Sequence, residues 1–154
     1  VLHYLEDLAT LENANIRTLL RNTTALSSDV NGAYDPTFAS VYEERNSCFV
    51  NKGPCLTKYT GARGKSGSND ASAETMAKII SIMDEAQVYW QIGELGAVDE
   101  GGGGTVALYV AAMDVDVVDL GVPVLCMHSP FELTSKLDVY YTYKAFAAFL
   151  GSDK

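Results

Sequence analysis

A chain of 154 residues, 47% hydrophobic and 20% charged, has the make-up of one water-soluble globular domain and is too short for two. Its formal charge of -9, with Lys and Arg scattered and in no run, excludes the concentrated basic face that a phosphate backbone needs, so no nucleic-acid partner is expected. Cys48, Cys55 and Cys126 form an odd set without a C-x-x-C pair, which excludes a disulfide framework and a thiolate zinc knuckle and makes a reducing cytoplasm the expected compartment.

In chain order, Leu2, Leu5, Leu8 and Leu11 recur at helical spacing, and the first twenty residues read as one helix. The chain opens at Val1 with this pattern already under way, so it is expected to begin inside a larger unit. "TALSSDV" (24–30) reads as a buried strand leading into a turn, and "NGAYDPTF" as loop, marked by Asn-Gly and Asp-Pro. "CFVNKGPCLTKY" predicts two short strands broken at Gly53 and Pro54. "TGARGKSGSND" is an exposed glycine-rich loop whose Asn69 or Asp70 caps the next helix. In that helix Met76, Ile79, Ile80 and Met83 share a face, and Glu74 pairs with Lys78 across one turn.

"QVYWQI" is strand-prone, and "GELGAVDEGGGG" is a long loop. From Thr105, "TVALYVAAM" predicts a helix packed on most sides, and "VDVVDLGVPVLCM" gives two short strands or one bent one around Gly-Val-Pro. Thr134 or Ser135 caps a last helix with a stripe of Val139, Tyr143, Phe146 and Leu150. The alternation predicts a layered α/β domain, with a mainly parallel sheet between helices and ligand chemistry at the carboxyl ends of its strands. The longest apolar stretch, Val115 to Met127, is broken by Asp116, Asp119, Gly121 and Pro123, so no membrane partner is expected. "VLHYLED" lacks the parts of a signal peptide.

Few residues can carry chemistry. His128 ends the apolar run "VPVLCMH", where an α/β sheet presents its ligands, although a lone histidine is more often a packed, hydrogen-bonded residue. Asp29 ends another predicted strand, although an Asp before Asn-Gly commonly only accepts backbone amides. Together they offer one carboxylate and one imidazole, donors suited to zinc, manganese or cobalt, yet a catalytic zinc normally takes three protein ligands. "DEGGGGT" lacks both nucleotide-binding patterns; its Gly103 and Gly104 instead offer free N–H groups near a helix start, able to receive a carboxylate or developing oxyanion, or else form a plain loop. No G-x-S-x-G elbow or Cys-His context supports covalent catalysis.

Four stretches, "LSSDVNGAYDPTF", "LTKYTGARGKSGSNDASAETM", "QIGELGAVDEGGGGT" and "VDVVDLGVPVLCMHSPFELTSKLDVYYTYKAFAAFL", resemble the C-terminal part of the aspartyl aminopeptidase and vacuolar aminopeptidase I family of dinuclear metallopeptidases, most closely its bacterial branch. The resemblance runs over residues 20 to 150. It implies a three-layer zinc-exopeptidase fold, a mixed sheet flanked by helices and here incomplete, and an enzyme that removes one N-terminal residue from a peptide substrate. The family uses two divalent metals, a bridging water and a glutamate base, and assembles into a tetrahedral dodecamer. On the matched motifs Asp29 corresponds to a ligand of one metal, His128 to the last histidine ligand of the other, and Lys58 to a substrate-contacting lysine. A preference for acidic residues would place Lys58 or Arg63 near the side-chain pocket.

The family's first histidine, bridging aspartate and glutamate pair have no counterpart here. His3 and the pair Glu43–Glu44 stand in the wrong parts of the chain to replace them. The resemblance therefore implies a C-terminal fragment, residues 1–154, that lacks the general base, is inactive alone, binds metal weakly or not at all, and self-associates through apolar faces its missing half would cover. A non-catalytic α/β binding or assembly module on the same framework is the alternative.

Overall fold

The computed structural model describes residues 1–60, 68–97, 99–100 and 102–152. Its centre is β5, Asp116–Gly121, buried from Val117 onward, because it is flanked on both sides by other strands, with Val117, Val118 and Leu120 in the core and Asp119 the strand's one buried charge. Strand β1, Thr24–Ser27, pairs parallel to it on one side. On the other side β3, Cys55–Thr57, runs antiparallel to β5 and parallel to the edge strand β4, Gln91–Ile92. The order is β1-β5-β3-β4. This corrects the expected mainly parallel sheet: the loop through Pro54 brings β3 back against β5 in the opposite direction, so the sheet is mixed.

Beyond the main sheet, β2 (Asn31–Gly32) and β6 (Pro123–Val124) form a second parallel pair. Thr24 faces Asp116 and Asn31 faces Pro123, so the β1–β5 register continues into β2–β6 without a slip. The two ladders are one pair of chains bent together at Ser28–Val30 and Val122. "NG" is therefore strand and not the expected loop: Asn31 N–H donates to Val122 O (2.9 Å) and Ala33 N–H to Val124 O (2.9 Å). Partner strands satisfied a dipeptide whose local preference is to turn.

The first twenty residues form two helices, α1 (Leu2–Leu11) and α2 (Ile16–Arg21), instead of one. Asn13 takes a left-handed conformation (φ 51) and Asn15 caps α2 by accepting from Thr18 N–H (3.2 Å), both roles that asparagine fills readily. Helix α3, Ala73–Glu85, is the predicted one: Met76, Ile79, Ile82 and Met83 are buried against Leu56, Val118, Leu120 and Ala145. Its cap is Ser72, accepting from Thr75 N–H (3.1 Å), and not Asn69 or Asp70. Lys78 does not reach back to Glu74; its Nζ donates to Thr24 Oγ1 (3.0 Å) and ties α3 to β1.

Helix α4 is short, Ala107–Ala111, and buries only Ala107, with Tyr109 72% exposed, so the expectation of packing on most sides fails. Asp114 ends that segment in a left-handed conformation (φ 67). Helix α5, Lys136–Leu150, is capped by Ser135 and turns Asp138, Thr142 and Ala145 inward. Of the predicted stripe, Val139, Tyr143 and Leu150 are exposed, while Phe146 is partly buried against the core. Asp138 decides this rotation: its carboxylate accepts from Asn51 N–H (2.6 Å) and Gly53 N–H (2.8 Å), fixing the helix to the loop before β3. Of the 60–70 loop, residues 61–67, with Arg63 and Lys65, lie outside the described residues. All three cysteines are free, Cys48 and Cys55 buried and Cys126 exposed.

Candidate functional site

Asp29 stands in the bend between β1 and β2, at the carboxyl end of β1. The bend is shaped by Gly121 of β5: a Cβ there would lie 1.9 Å from Asp29 O, so the backbones approach at a distance only glycine permits. Asp29 Oδ1 accepts from Val30 N–H (2.8 Å), and the side chain is otherwise exposed.

His128 lies on a loop closed by the bridge between Leu125 and Leu133, whose amides and carbonyls exchange bonds of 2.9 and 3.1 Å. Within it Cys126 (φ 58) and His128 (φ 68) are both left-handed, a conformation non-glycine residues hold only where the surroundings impose it. The restraint here is Glu132, whose Oε1 accepts from His128 N–H at 2.6 Å, with Ser129 N–H donating to Cys126 O (3.0 Å). The apolar run therefore ends in a locked tip that presents the imidazole to solvent.

Asp29 and His128 line one cleft of about 290 Å³, together with Gly103 and Gly104 and with Tyr42, Leu95 and Met127. Four of the six residues singled out from sequence, Asp29, Gly103, Gly104 and His128, thus share one cleft. Lys58 is absent from its lining and is ion-paired to Asp70. Sequence reasoning missed Tyr42, Leu95 and Met127, ordinary apolar positions with no pattern to mark them, and it missed Thr105 and Asp119.

Asp119 of β5 is 4% exposed and its Oδ2 accepts from Thr105 Oγ1 (2.9 Å). Burial pushes its carboxyl above the usual range; the hydroxyls of Ser27 and Thr105 offset part of that, and the charge of Asp29 adds to it. Burial likewise raises Tyr42, with Asp35 adding to it, and raises Glu94, beside the cleft residue Leu95, against the opposing hydrogen bond of Asn46. The Cys48 thiol is pushed up by its hydrogen bond with Cys55 and by burial, so it is no nucleophile.

As a metal site the cleft fits in kind and falls short in number. A carboxylate and an imidazole are zinc donors, yet among the described residues no group of three or more His, Cys, Asp or Glu could hold an ion. His3, on α1, is exposed and bonded to Glu6, and Glu43 caps a 3₁₀ turn, so neither supplies a third donor.

Over residues 1–150 the chain matches the family model described as aminopeptidase I zinc metalloprotease (M18). The chain belongs to the M18 family. Among curated M18 relatives, the probable M18 family aminopeptidase 1 of Clostridium acetobutylicum is 46% identical over 141 residues, covering 92% of this chain and 30% of that protein. That of Thermotoga maritima is 44% identical over 132 residues, 86% of this chain and 29% of that one. The chain thus spans about 30% of the length of the relatives it matches. The crystal structure of the Clostridium acetobutylicum aminopeptidase I superposes on 97% of this chain and 33% of its own, with a TM-score of 0.89 at 43% identity. The S. cerevisiae mApe1 dodecamer, at 22% identity and a TM-score of 0.73 over 95% of this chain and 32% of its own, shares the fold. The M18 resemblance of the motifs is borne out, as is the mixed sheet flanked by helices.

Proposed function

We propose that this chain is the C-terminal portion of an M18 metallo-aminopeptidase, whose whole removes single N-terminal residues from peptides, and that Asp29 and His128 each contribute a ligand to its zinc site. The observation that carries the reading is their convergence on one cleft from segments a hundred residues apart, within a chain of this family. A bound divalent ion, zinc first and manganese or cobalt next, supplies Lewis-acid polarisation of a peptide carbonyl and acidifies water.

The chain's own residues have separable tasks. Gly121 lets the β1–β2 bend hold Asp29 at the cleft rim, and Glu132 holds the backbone that aims His128. Gly103 and Gly104 line the same cleft, and in this reading their backbone N–H groups receive a substrate carboxylate or the oxygen of a reacting carbonyl. Tyr42, Leu95 and Met127 exclude water from one side. In this reading each ion of the pair takes one ligand from this chain, and the general base and the remaining ligands lie on the portion of the M18 protein this chain does not span. Lys58, held by Asp70, reaches an acidic substrate side chain only after that ion pair opens. The whole protein is a homo-oligomer, a dodecamer by analogy with the yeast relative.

Zinc or cobalt titration of the whole M18 protein and of its variants, by calorimetry and by cobalt absorption, tests the site. Asp29→Ala and His128→Ala are each expected to weaken binding roughly tenfold or more, while neither variant alters the circular dichroism. Identical affinities in all three proteins would sink the assignment. Hydrolysis of aminoacyl-p-nitroanilides by this chain alone would overturn the division of the site. The second reading, a non-catalytic module, draws on the shortage of donors; it predicts no ion bound by this chain or by the whole protein.

A further inference from the structure

Under the cleft lies a second cavity of about 10 Å³, bordered by Asp29, Asn31, Thr57, Thr60, Thr105 and Asp119. Asn31, Thr60 and Asp119 are at least nine-tenths buried, and among the described residues Asn31 Oδ1, Thr60 Oγ1 and Asp119 Oδ1 have no hydrogen-bond partner. Their companion atoms are committed: Asn31 Nδ2 donates to Thr57 Oγ1 (2.5 Å) and Cys55 Sγ (3.4 Å), and Asp119 Oδ2 accepts from Thr105 Oγ1 (2.9 Å). Two acceptors and one hydroxyl, all shielded from bulk solvent, surround a space of one small molecule. Buried polar atoms are rarely left without partners.

We propose that this cavity binds one internal water, and that through it Asp119 is a positioning residue joining three chain segments beneath the cleft. Water donates two hydrogens, one each to Asn31 Oδ1 and Asp119 Oδ1, and accepts from the Thr60 hydroxyl. A dehydrated cation would need a near-complete shell of oxygens, and among the side chains bordering the cavity only these three are unclaimed. The consequence is mechanical. Asn31 follows the Asp29 bend, Thr105 ends the glycine loop of the cleft, and Thr60 ends the extension of β3. Asp119 holds Thr105 directly and the other two through water, so the carboxylate rim and the glycine wall keep a fixed separation. This inference rests on the cavity and not on the metal assignment.

A high-resolution crystal structure of this chain, with a rubidium soak as a second crystal, tests the site. One peak is expected within about 2.6–3.2 Å of both Asn31 Oδ1 and Asp119 Oδ1, without anomalous signal from rubidium. A rubidium peak would overturn the water, and so would a direct Asn31–Asp119 contact with nothing between. The positioning role is read by amide exchange in Thr60→Val, which keeps the side-chain shape and removes one partner. Exchange at residues 102–107 should accelerate about threefold or more while the melting temperature stays near that of the parent chain. Acceleration confined to residues next to 60, with 102–107 unchanged, would refute the coupling.

Discussion

Gly121 and Asp119, two positions apart on β5, set the geometry of the cleft from below. An alanine at 121 would drive its Cβ into Asp29 O, and the atom it meets is backbone, which cannot rotate away. Gly121→Ala is therefore expected to destabilise the chain by about 1–3 kcal/mol in urea unfolding and to lower metal affinity with it; unchanged values of both would refute the close approach. Asp119 gives a pH signature. Because its folded carboxyl is raised by burial, the folded chain keeps that proton to higher pH than the unfolded chain, whose value is about 3.9. Its contribution to stability is thus fully present below that value and is lost as pH rises through the folded one. Asp119→Asn removes this loss. Urea midpoints of the variant should fall less than those of the parent over the same rise in pH, and parallel curves would exclude Asp119 as the source.

At the scale of elements, the predicted helix α3 and strands β1, β5 and β6 were legible because their patterns agree with their packing: the buried residues of α3 recur at helical spacing, and β5 is built on Val117, Val118 and Leu120. Helix α5 was legible in extent but not in orientation. Three of its four stripe residues, Val139, Tyr143 and Leu150, are exposed and only Phe146 packs on the core, because the buried Asp138 with its two backbone donors fixes the rotation. Asp138→Ala strands the amides of Asn51 and Gly53 and should cost roughly 2–4 kcal/mol; Asp138→Asn, retaining one acceptor oxygen, should cost less. Equal losses for the two variants in thermal unfolding would show that volume and not hydrogen bonding fixes the helix. The site divides in the same way. His128 was visible as the end of an apolar run, whereas the left-handed turn that aims it depends on Glu132, which no local pattern connects to it.

For the whole molecule, the telling feature is apolar surface on the outside. Leu11, Tyr143 and Leu150 are each at least 70% exposed, on α1 and α5. Such surface associates in water. Sedimentation velocity is expected to show concentration-dependent oligomers of this chain, and the double variant Tyr143→Lys, Leu150→Lys to shift the distribution towards monomer. A monomer at all concentrations would remove these faces as interfaces. No helix among the described residues is long and apolar enough to cross a membrane.

The M18 family, four residues of the cleft (Asp29, Gly103, Gly104 and His128) and most helices and strands followed from the sequence alone, because long ordered motifs and side-chain periodicity are local properties. The direction of β3, the bend shared by two strand pairs, the rotation of α5 and the buried polar cavity did not. Each depends on partners tens of residues away, and a hydrogen bond between distant segments leaves no mark in the local pattern of either.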